Sequence, residues 1–281
     1  MADLPPRIRL VIFDLDGVIY RGAEPVPGAP ELVSWLHGTR AAVRFATNNS
    51  TVSRAGYVER LGAMGIPTAV DEIVTSTSAT VEHLRRHAPD VRRLLGLGAE
   101  GMRQELDEAG FDVVMAGDLG SPQLGAALPG YDAVVVGLDP QLDYERLAVA
   151  MAAVAGGARL IATNADARYP TPAGFLPGAG AVVSALTIAT GAAPEVIGKP
   201  SPAMFAAIIE AAGVDAEATV VVGDNPDADV AGAHRAGCAA ILVLTGVADA
   251  ATAATLEGER APDAVAADPP AVRALLAGRV T

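Results

Sequence analysis

The chain is acidic and rich enough in apolar residues to fold around a buried core. It has 281 residues, 51% of them hydrophobic, and a formal net charge of −13, which allows one large domain or two medium ones. The negative charge argues against a nucleic acid or an anionic membrane as partner, since both bind cationic surfaces, and it favours a small diffusible substrate.

Short apolar runs alternate with amphipathic segments of helical length along the whole chain. The predicted strands span residues 9–13, 43–46, 133–136, 160–162, 219–222 and 239–243. The predicted helices span residues 30–37, 53–64, 80–87, 144–154, 201–212 and 227–236, and the pair Ser201–Pro202 is a typical helix start. This alternation predicts an α/β fold with mostly parallel sheets. Ligands of such folds bind beyond the carboxyl ends of the strands, so polar residues that follow apolar runs are candidates for a site.

The first strand runs directly into two aspartates and a glycine. Asp14 and Asp16 stand two positions apart, and residues at that spacing on an extended segment share one face. Carboxylates this close repel each other unless a positive charge lies beside them, and Mg²⁺ is the usual cation of an all-oxygen site. An ordinary solvated turn ending at Gly17 is the alternative interpretation of this segment. The other polar clusters decide between the two interpretations.

Further polar clusters occur where predicted strands end or a turn is expected. They are Thr47-Asn48-Asn49-Ser50, then Gly198-Lys199-Pro200, and Gly223-Asp224-Asn225 with Asp227 and Asp229. One cluster of this kind indicates a turn, whereas several together indicate a site.

These clusters contain the groups that hydrolysis of a phosphate monoester needs. Asp14 can attack phosphorus to form an aspartyl-phosphate, and Asp16 can protonate the leaving oxygen and later deprotonate the attacking water. Mg²⁺ between Asp14 and Asp224 would offset the repulsion among the carboxylates and the substrate dianion. Lys199 and Thr47 can hold phosphoryl oxygens, and Asn48 and Asn225 can add amide donors.

The motifs resemble those of the haloacid dehalogenase (HAD) superfamily of phosphohydrolases, in order and over nearly the full chain. They are DLDG at 14–17, ATNNS at 46–50, GKP at 198–200 and GDNPDAD at 223–229. The chain also resembles subfamily IIA, the N-acetylglucosamine-operon and para-nitrophenyl phosphatases, in further sequence motifs. These are at residues 18–22, 134–140, 162–166, 177–181 and 196–205. The resemblance implies a Rossmann-like α/β core formed by residues 1–80 and 180–281. It also implies an inserted α/β cap of the large C2 type at residues 81–179.

The resemblance also implies the roles of individual residues in an Mg²⁺-dependent phosphatase. Asp14 would be nucleophile and metal ligand, and Asp16 the acid/base that also binds metal through its backbone carbonyl, which weighs against a dehalogenase. Asp224 and Asp229 would bind the metal. The residues that would bind phosphate are Thr47, Asn48, Asn49, Lys199 and Asn225. In the cap, Asn164 and Asp166 would recognise the leaving group. Turn capping is the alternative role for the cap pair.

The resemblance favours a small phosphorylated metabolite as substrate and leaves its identity open among sugar phosphates, glycerol phosphate, nucleoside monophosphates and pyridoxal phosphate. It also implies a possible homodimer formed through the cap. A phosphomutase would use the same site and would transfer phosphate to a second sugar hydroxyl with little release of free phosphate.

A different class of enzyme is suggested by the segment Gly96-Leu97-Gly98-Ala99-Glu100-Gly101. It matches the dinucleotide-binding fingerprint, and Asp118 follows at a plausible distance. With 30 glycines in 281 residues, about 0.3 such matches are expected by chance, so the match alone is weak. The preceding pair Arg92–Arg93 also fits poorly in a buried parallel strand and departs from the apolar run usual in the first strand of such caps. We therefore favour the phosphohydrolase over a nicotinamide or flavin enzyme.

The expected compartment is the cytoplasm. The N-terminal segment lacks a basic stretch followed by an apolar one, and the single cysteine, Cys238, cannot form an internal disulfide. The longest uncharged stretch, residues 169–194, is interrupted by prolines and glycines, so it does not predict a membrane helix.

Overall fold

A computed structural model describes residues 4–119, 126–171 and 174–280 and divides the chain into two compact units. The first unit comprises residues 1–47, 55–74 and 199–281. The second comprises residues 48–54 and 75–198. The second unit is therefore inserted into the first, and its short first segment follows directly on Thr47.

Strands and helices alternate along most of the chain. The strands are β1 (Leu10–Phe13), β2 (Tyr20–Arg21), β3 (Glu24–Pro25), β4 (Ala42–Thr47), β5 (Ile73–Thr75), β6 (Arg93–Leu97), β7 (Asp112–Met115), β8 (Ala133–Val136), β9 (Arg159–Ala162), β10 (Arg168–Thr171), β11 (Gly174–Pro177), β12 (Glu195–Val196), β13 (Thr219–Gly223), β14 (Ala239–Val243) and β15 (Ala264–Ala266). The α-helices are α1 (Ala29–His37), α2 (Arg54–Ala63), α3 (Ser76–His87), α4 (Glu100–Glu108), α5 (Tyr144–Ala155), α6 (Ala179–Thr190), α7 (Pro202–Ala212), α8 (Ala231–Arg235), α9 (Ala250–Ala253) and α10 (Pro269–Leu276).

The first unit is built on a six-stranded sheet in the order β15-β14-β13-β1-β4-β5. When the six strands are renumbered in chain order, the sheet reads 6-5-4-1-2-3, which is the doubly wound order. The order of the strands reverses between β1 and β13, although these two strands are parallel to each other. The pairs from β15 through β4 are parallel. β1 and β13 are fully buried, as expected for the apolar, β-branched strands of a parallel sheet.

The second unit has a five-stranded parallel sheet in the order β12-β9-β8-β6-β7. Its core combines the apolar strand residues with one side each of α5 and α6, which pack against each other. β10 and β11 form a separate antiparallel hairpin.

The predicted α/β class with parallel sheets is confirmed. The predicted start of α7 is also confirmed, because the Ser201 side chain caps the helix and Pro202 occupies its first turn. The helix predicted over 227–236 begins as a π-helical turn, Pro226–Val230, and continues as α8.

The unit boundaries differ from those inferred from the sequence. The sequence predicts residues 180–198 to belong to the core with the C-terminal segment, whereas α6 packs against α5, β8 and β9 and lies in the second unit. Residues 75–80, at the start of α3, also lie in the second unit. The apolar residues of α6 indicate that this helix is buried on one side, but they do not indicate which of the two sheets it packs against.

Arg92 and Arg93, the pair that fits poorly in a buried parallel strand, lie at the N-terminal end of β6. Arg93 is exposed at the start of β6, and the four residues after it are buried. The Asp132 carboxylate accepts the backbone N–H groups of Arg92 and Arg93 at 2.8 and 2.7 Å. The basic pair is therefore anchored outside the core of the unit.

Among the described residues, no helix combines the length and the apolar character needed to cross a membrane.

Candidate active site

Two adjacent strands bring Asp14 and Asp224 to the same edge of the first sheet. Asp14 follows β1 and Asp224 follows β13, and these strands pair with Phe13 opposite Val222. The backbone N–H of Asp14 donates to the Val222 carbonyl at 2.9 Å, which extends the pairing by one residue. The two aspartates thus stand at the point where the strand order reverses, the usual ligand position in a doubly wound sheet.

Lys199 provides a buried positive charge between two of the aspartates. Its Nζ donates to Asp14 Oδ1, to Asp229 Oδ1 at 2.7 Å and to the carbonyl of Ala46 at 3.1 Å. The ammonium group therefore has three acceptors, which satisfies its donors. These carboxylates raise the pKa of Lys199 above its usual value despite the opposing effect of burial, so the lysine stays charged.

The three aspartates Asp14, Asp224 and Asp229 form one acidic cluster. One carboxylate oxygen from each lies within 4.8 Å of the others. Desolvation raises the pKa of Asp14, and it raises the pKa of Asp224 to about 7, with the charge of Asp229 adding to the second effect. When all three carboxylates are ionised, the single ammonium group leaves two negative charges uncompensated. This donor set fits a divalent cation that prefers oxygen ligands.

Asp224 is fixed by the loop after β14. The backbone N–H of Val247 donates to Asp224 Oδ2 at 2.7 Å. Gly17 and Gly246 pack so closely on this carboxylate that a Cβ at either position would lie 2.4 or 1.8 Å from Oδ2. Gly17 also has a positive φ of 81°, which favours glycine. Both glycines are therefore needed for the position of Asp224.

Asn225 and Asp229 belong to the π-helical turn that follows β13. The Asn225 side-chain oxygen accepts the backbone N–H groups of Asp227 and Ala228 at 2.9 and 3.2 Å, so it caps the turn. The backbone N–H of Asn225 donates to Asp229 Oδ2 at 3.1 Å. The turn thus directs Asp229 back to the acidic cluster, with its other oxygen bound to Lys199.

Asp16 lies in the turn that follows β1, where it is exposed, and its side chain has a buried partner. The hydroxyl of Tyr20 donates to Asp16 Oδ2 at 3.1 Å. Partial desolvation raises the pKa of Asp16, while the Tyr20 hydrogen bond and the charge of Arg60 lower it. Arg60 also lies over the Tyr20 ring, with its guanidinium carbon 4.0 Å from the ring centroid.

The segment containing Thr47, Asn48 and Asn49 crosses the boundary between the units. Thr47 is buried at the end of β4 and belongs to the first unit, whereas Asn48 and Asn49 belong to the second. Asn49 Oδ1 accepts the backbone N–H and the hydroxyl of Thr51 at 2.9 and 2.7 Å, which is a local turn.

In the second unit, Asn164 and Asp166 bind Asn48. Asn164 Nδ2 donates to the Asn48 carbonyl at 2.7 Å, and Asn48 Nδ2 donates to the two carboxylate oxygens of Asp166 at 3.2 and 3.0 Å. Asn164 Oδ1 also accepts the backbone N–H of Asp166 at 3.1 Å, the turn-capping role considered as the alternative. The predicted site residues thus fall into two groups, each within one unit. The first-unit group is Asp14, Asp16, Thr47, Lys199, Asp224, Asn225 and Asp229, and the second-unit group is Asn48, Asn49, Asn164 and Asp166.

The glycines at 96, 98 and 101 are explained by packing within the second unit. Gly96 lies in β6, Gly98 in the loop after it and Gly101 in the first turn of α4, which is the strand-to-helix placement that the fingerprint requires. A Cβ at each position would lie 2.5 Å from, respectively, the Met115 sulfur, the Met102 methyl carbon and the Thr51 carbonyl oxygen. Asp118, the acidic residue of the fingerprint, is 3.0 Å from Arg103. The spacing therefore needs no dinucleotide to account for it.

Sequence reasoning did not single out the residues that support the aspartates. These supporting residues are Tyr20, Arg60, Gly246 and Val247. The one available signal was the sequence Thr245-Gly246, which begins two positions after the predicted strand 239–243, because polar and glycine residues near a strand's carboxyl end mark the functional edge of the sheet.

Comparison with known proteins agrees with this arrangement. Residues 11–112 match the family described as haloacid dehalogenase-like hydrolase, and residues 196–269 match a second family described as HAD-hydrolase-like. An acid sugar phosphatase from Staphylococcus aureus is 36% identical over 236 residues, which cover 84% of this chain and 86% of that protein.

Solved structures with the same fold include further phosphatases. A p-nitrophenyl phosphatase from Archaeoglobus fulgidus has a TM-score of 0.85 at 32% identity, covering 96% of this chain and 100% of that one. A glycerol phosphate phosphatase from Mycobacterium tuberculosis, solved in complex with magnesium, has a TM-score of 0.82 at 32% identity, covering 94% of this chain and 76% of that one. The chain therefore belongs to the haloacid dehalogenase-like hydrolases and is an enzyme of the phosphatase type.

Proposed function

We propose that the protein is an Mg²⁺-dependent phosphatase that hydrolyses small phosphomonoesters through an aspartyl-phosphate on Asp14. The observation that carries this proposal is the convergence of Asp14, Asp224, Asp229 and Lys199 at the reversal point of the first sheet. The magnesium complex of the related glycerol phosphate phosphatase supports the choice of metal.

In the first half of the reaction, a carboxylate oxygen of Asp14 forms a bond to phosphorus while the bond to the leaving oxygen breaks. Asp16 gives its proton to that oxygen, so the alcohol leaves neutral. In the second half, Asp16 takes a proton from the attacking water, and the bond between phosphorus and Asp14 breaks to release phosphate. Splitting the reaction in this way replaces one very slow step with two easier ones.

Charge neutralisation is shared between the lysine and the metal. Lys199 holds Asp14 Oδ1 and, with the Thr47 hydroxyl and the amides of Asn48, Asn49 and Asn225, would bind phosphoryl oxygens. Mg²⁺ would be held by Asp14, Asp224 and Asp229, with the backbone carbonyl of Asp16, and would supply the remaining positive charge.

We assign recognition of the leaving group to Asn164 and Asp166. Both carry polar groups that can bind hydroxyls or amines, and both are held by Asn48, the residue that follows Thr47. The acid sugar and glycerol phosphate phosphatases among the relatives support a small polyhydroxylated phosphomonoester.

We also propose that two copies associate through the second unit. Phe175 and Leu176 on the β10–β11 hairpin are 65% and 56% exposed, and Ile188 on α6 is 86% exposed. Apolar surface of this kind favours association of protein with protein. Light scattering of the purified protein tests this proposal, and a monomer at all concentrations would contradict it.

Phosphate release from a panel of substrates, with Mg²⁺ and with EDTA, tests the function. The panel contains p-nitrophenyl phosphate, glycerol phosphate, sugar phosphates, nucleoside monophosphates and pyridoxal phosphate. We expect release that requires the metal and is abolished by Asp14→Asn. Asp215→Asn is the matched control, since Asp215 is an exposed residue of the first unit whose side chain makes no capping hydrogen bond. Sugar phosphates that are converted without free phosphate would instead indicate a phosphomutase.

A further inference from the structure

A short turn brings Tyr20 back onto Asp16. Residues 16 and 20 form an isolated bridge, and the backbone N–H of Gly17 donates to the Tyr20 carbonyl at 2.8 Å. The backbone N–H of Tyr20 in turn donates to the Leu15 carbonyl at 3.2 Å. The position of the tyrosine relative to Asp16 is therefore set by backbone hydrogen bonds on both sides of the pair.

The two side chains differ in their exposure. Tyr20 is fully buried, whereas Asp16 is exposed to solvent. An exposed carboxylate on a two-bond side chain can adopt several rotamers. The hydrogen bond from the Tyr20 hydroxyl to Asp16 Oδ2, at 3.1 Å, selects one of them.

Arg60 holds the tyrosine from the other side. Its guanidinium carbon lies 4.0 Å from the centre of the Tyr20 ring, and its terminal nitrogen donates to the Gly22 carbonyl at 2.6 Å. Burial raises the pKa of Tyr20 well above its usual value, so the hydroxyl keeps its proton near neutral pH and can act as a donor.

We propose that Tyr20 is a positioning residue for the general acid/base of the reaction. By donating to Oδ2 of Asp16, it leaves Oδ1 as the oxygen that carries the proton to the leaving group and later accepts one from water. Arg60 acts indirectly, by fixing the tyrosine ring. This inference rests on the proposed phosphatase function, in which Asp16 exchanges protons with the substrate and water.

The inference predicts a loss of activity that depends on the leaving group. An alkoxide leaves only with a proton, whereas p-nitrophenolate leaves readily without one. We expect Tyr20→Phe to lower kcat/KM for glycerol phosphate, or for the best alkyl phosphate of the panel, by about tenfold, and kcat/KM for p-nitrophenyl phosphate by less than about twofold. This parameter reports the first, acid-assisted half of the reaction.

Matched variants separate positioning from a general effect on the fold. Tyr144→Phe makes the same change at a tyrosine that is 79% exposed, and it should leave both substrates unaffected. Arg60→Lys keeps the positive charge but loses the planar group over the ring, so a smaller loss with the same selectivity is expected. In an Asp16→Asn background, Tyr20→Phe should have no further effect on either substrate.

Equal losses on both substrates, or a full additional loss in the Asp16→Asn background, would overturn the inference. If Tyr20→Phe does not fold, Arg60→Lys is used as the test instead. An equal loss of activity on both substrates in that variant would also overturn the inference. Failure of the proposed function itself looks different, because the unmodified protein would then release phosphate from neither substrate.

Discussion

The ammonium group of Lys199 lies 2.7 Å from the carboxylate of Asp229, and both side chains are almost completely withdrawn from solvent. The same ammonium group binds Asp14, so one cation compensates two buried anions. A buried charge that loses its partner is strongly destabilising. We therefore expect the ion pair to be important for the stability of the metal-free protein and, under the proposed function, for catalysis as well.

Replacing Lys199 with methionine should destabilise the metal-free protein. We expect Lys199→Met to lower the free energy of unfolding by about 3 to 5 kcal/mol in EDTA and to abolish turnover. Part of the lost stability should return with Mg²⁺, because the cation binds the carboxylates left without a partner. Urea denaturation with and without Mg²⁺ measures both effects. An unchanged unfolding free energy in EDTA would contradict the importance of the ion pair.

The glycine at 246 should control metal affinity. A Cβ at this position would lie 1.8 Å from Asp224 Oδ2, so Gly246→Ala must displace that carboxylate. We expect the Mg²⁺ concentration that gives half-maximal phosphate release to rise about tenfold or more, as is usual when the support of a ligand is disturbed. Gly62→Ala is the control, because nothing lies within 4 Å of the added atom. Equal metal affinities of the two variants would contradict this prediction.

The effect of Mg²⁺ on stability should depend on pH. The pKa of Asp224 is about 7 in the folded protein and about 3.8 when unperturbed. A carboxyl whose pKa is raised by folding binds a proton more tightly when folded, so the contribution of Asp224 to the stability of the metal-free protein should fall as the pH rises from about 4 to about 7.

Metal binding needs the ionised carboxylate, so the increase in Tm produced by Mg²⁺ should grow over the same pH interval. Thermal melts with Mg²⁺ and with EDTA measure this difference at each pH. The variant Asp224→Asn should lose most of the pH-dependent part. An increase in Tm that is the same at pH 5 and pH 8 would rule out competition between protons and the metal.

Asp166 should influence the choice of substrate more than the chemistry. Asp166→Ala removes the carboxylate bound by Asn48, and we expect kcat/KM for the preferred alkyl phosphate to fall about tenfold. The order of the substrate panel should change, while Mg²⁺-dependent release from p-nitrophenyl phosphate is largely retained. Asp90→Ala, at an exposed position of the same unit, serves as control. A uniform loss across the panel would assign Asp166 a structural role.

The sequence was most informative where a buried strand ends in an acidic residue. Asp14 and Asp224 could be predicted to meet because each follows an apolar run, and the carboxyl ends of parallel strands share one edge of a sheet. Lys199 was found from its motif, but its three acceptors depend on tertiary structure and have no local signal in the sequence.

Residues that contribute only a backbone group or a small size were missed. Val247 holds Asp224 through its N–H, which any residue other than proline could supply, and Gly246 contributes the absence of a side chain. The division between Thr47 and Asn48 was also beyond prediction. Asn48 is held in the second unit by hydrogen bonds from Asn164 and to Asp166, which are more than one hundred residues away in the chain.

Lys199 is also the single lysine among the 281 residues, since the other basic side chains are arginines. Its side chain is 4% exposed and bound to two carboxylates. Amine-directed reagents therefore find one side-chain target in the whole molecule, and that target lies at the base of the proposed active site. Covalent labelling of the folded protein, read from the mass of the peptide that contains Lys199 so that the terminal amine is counted apart, would report how often the acidic cluster opens, without any substrate.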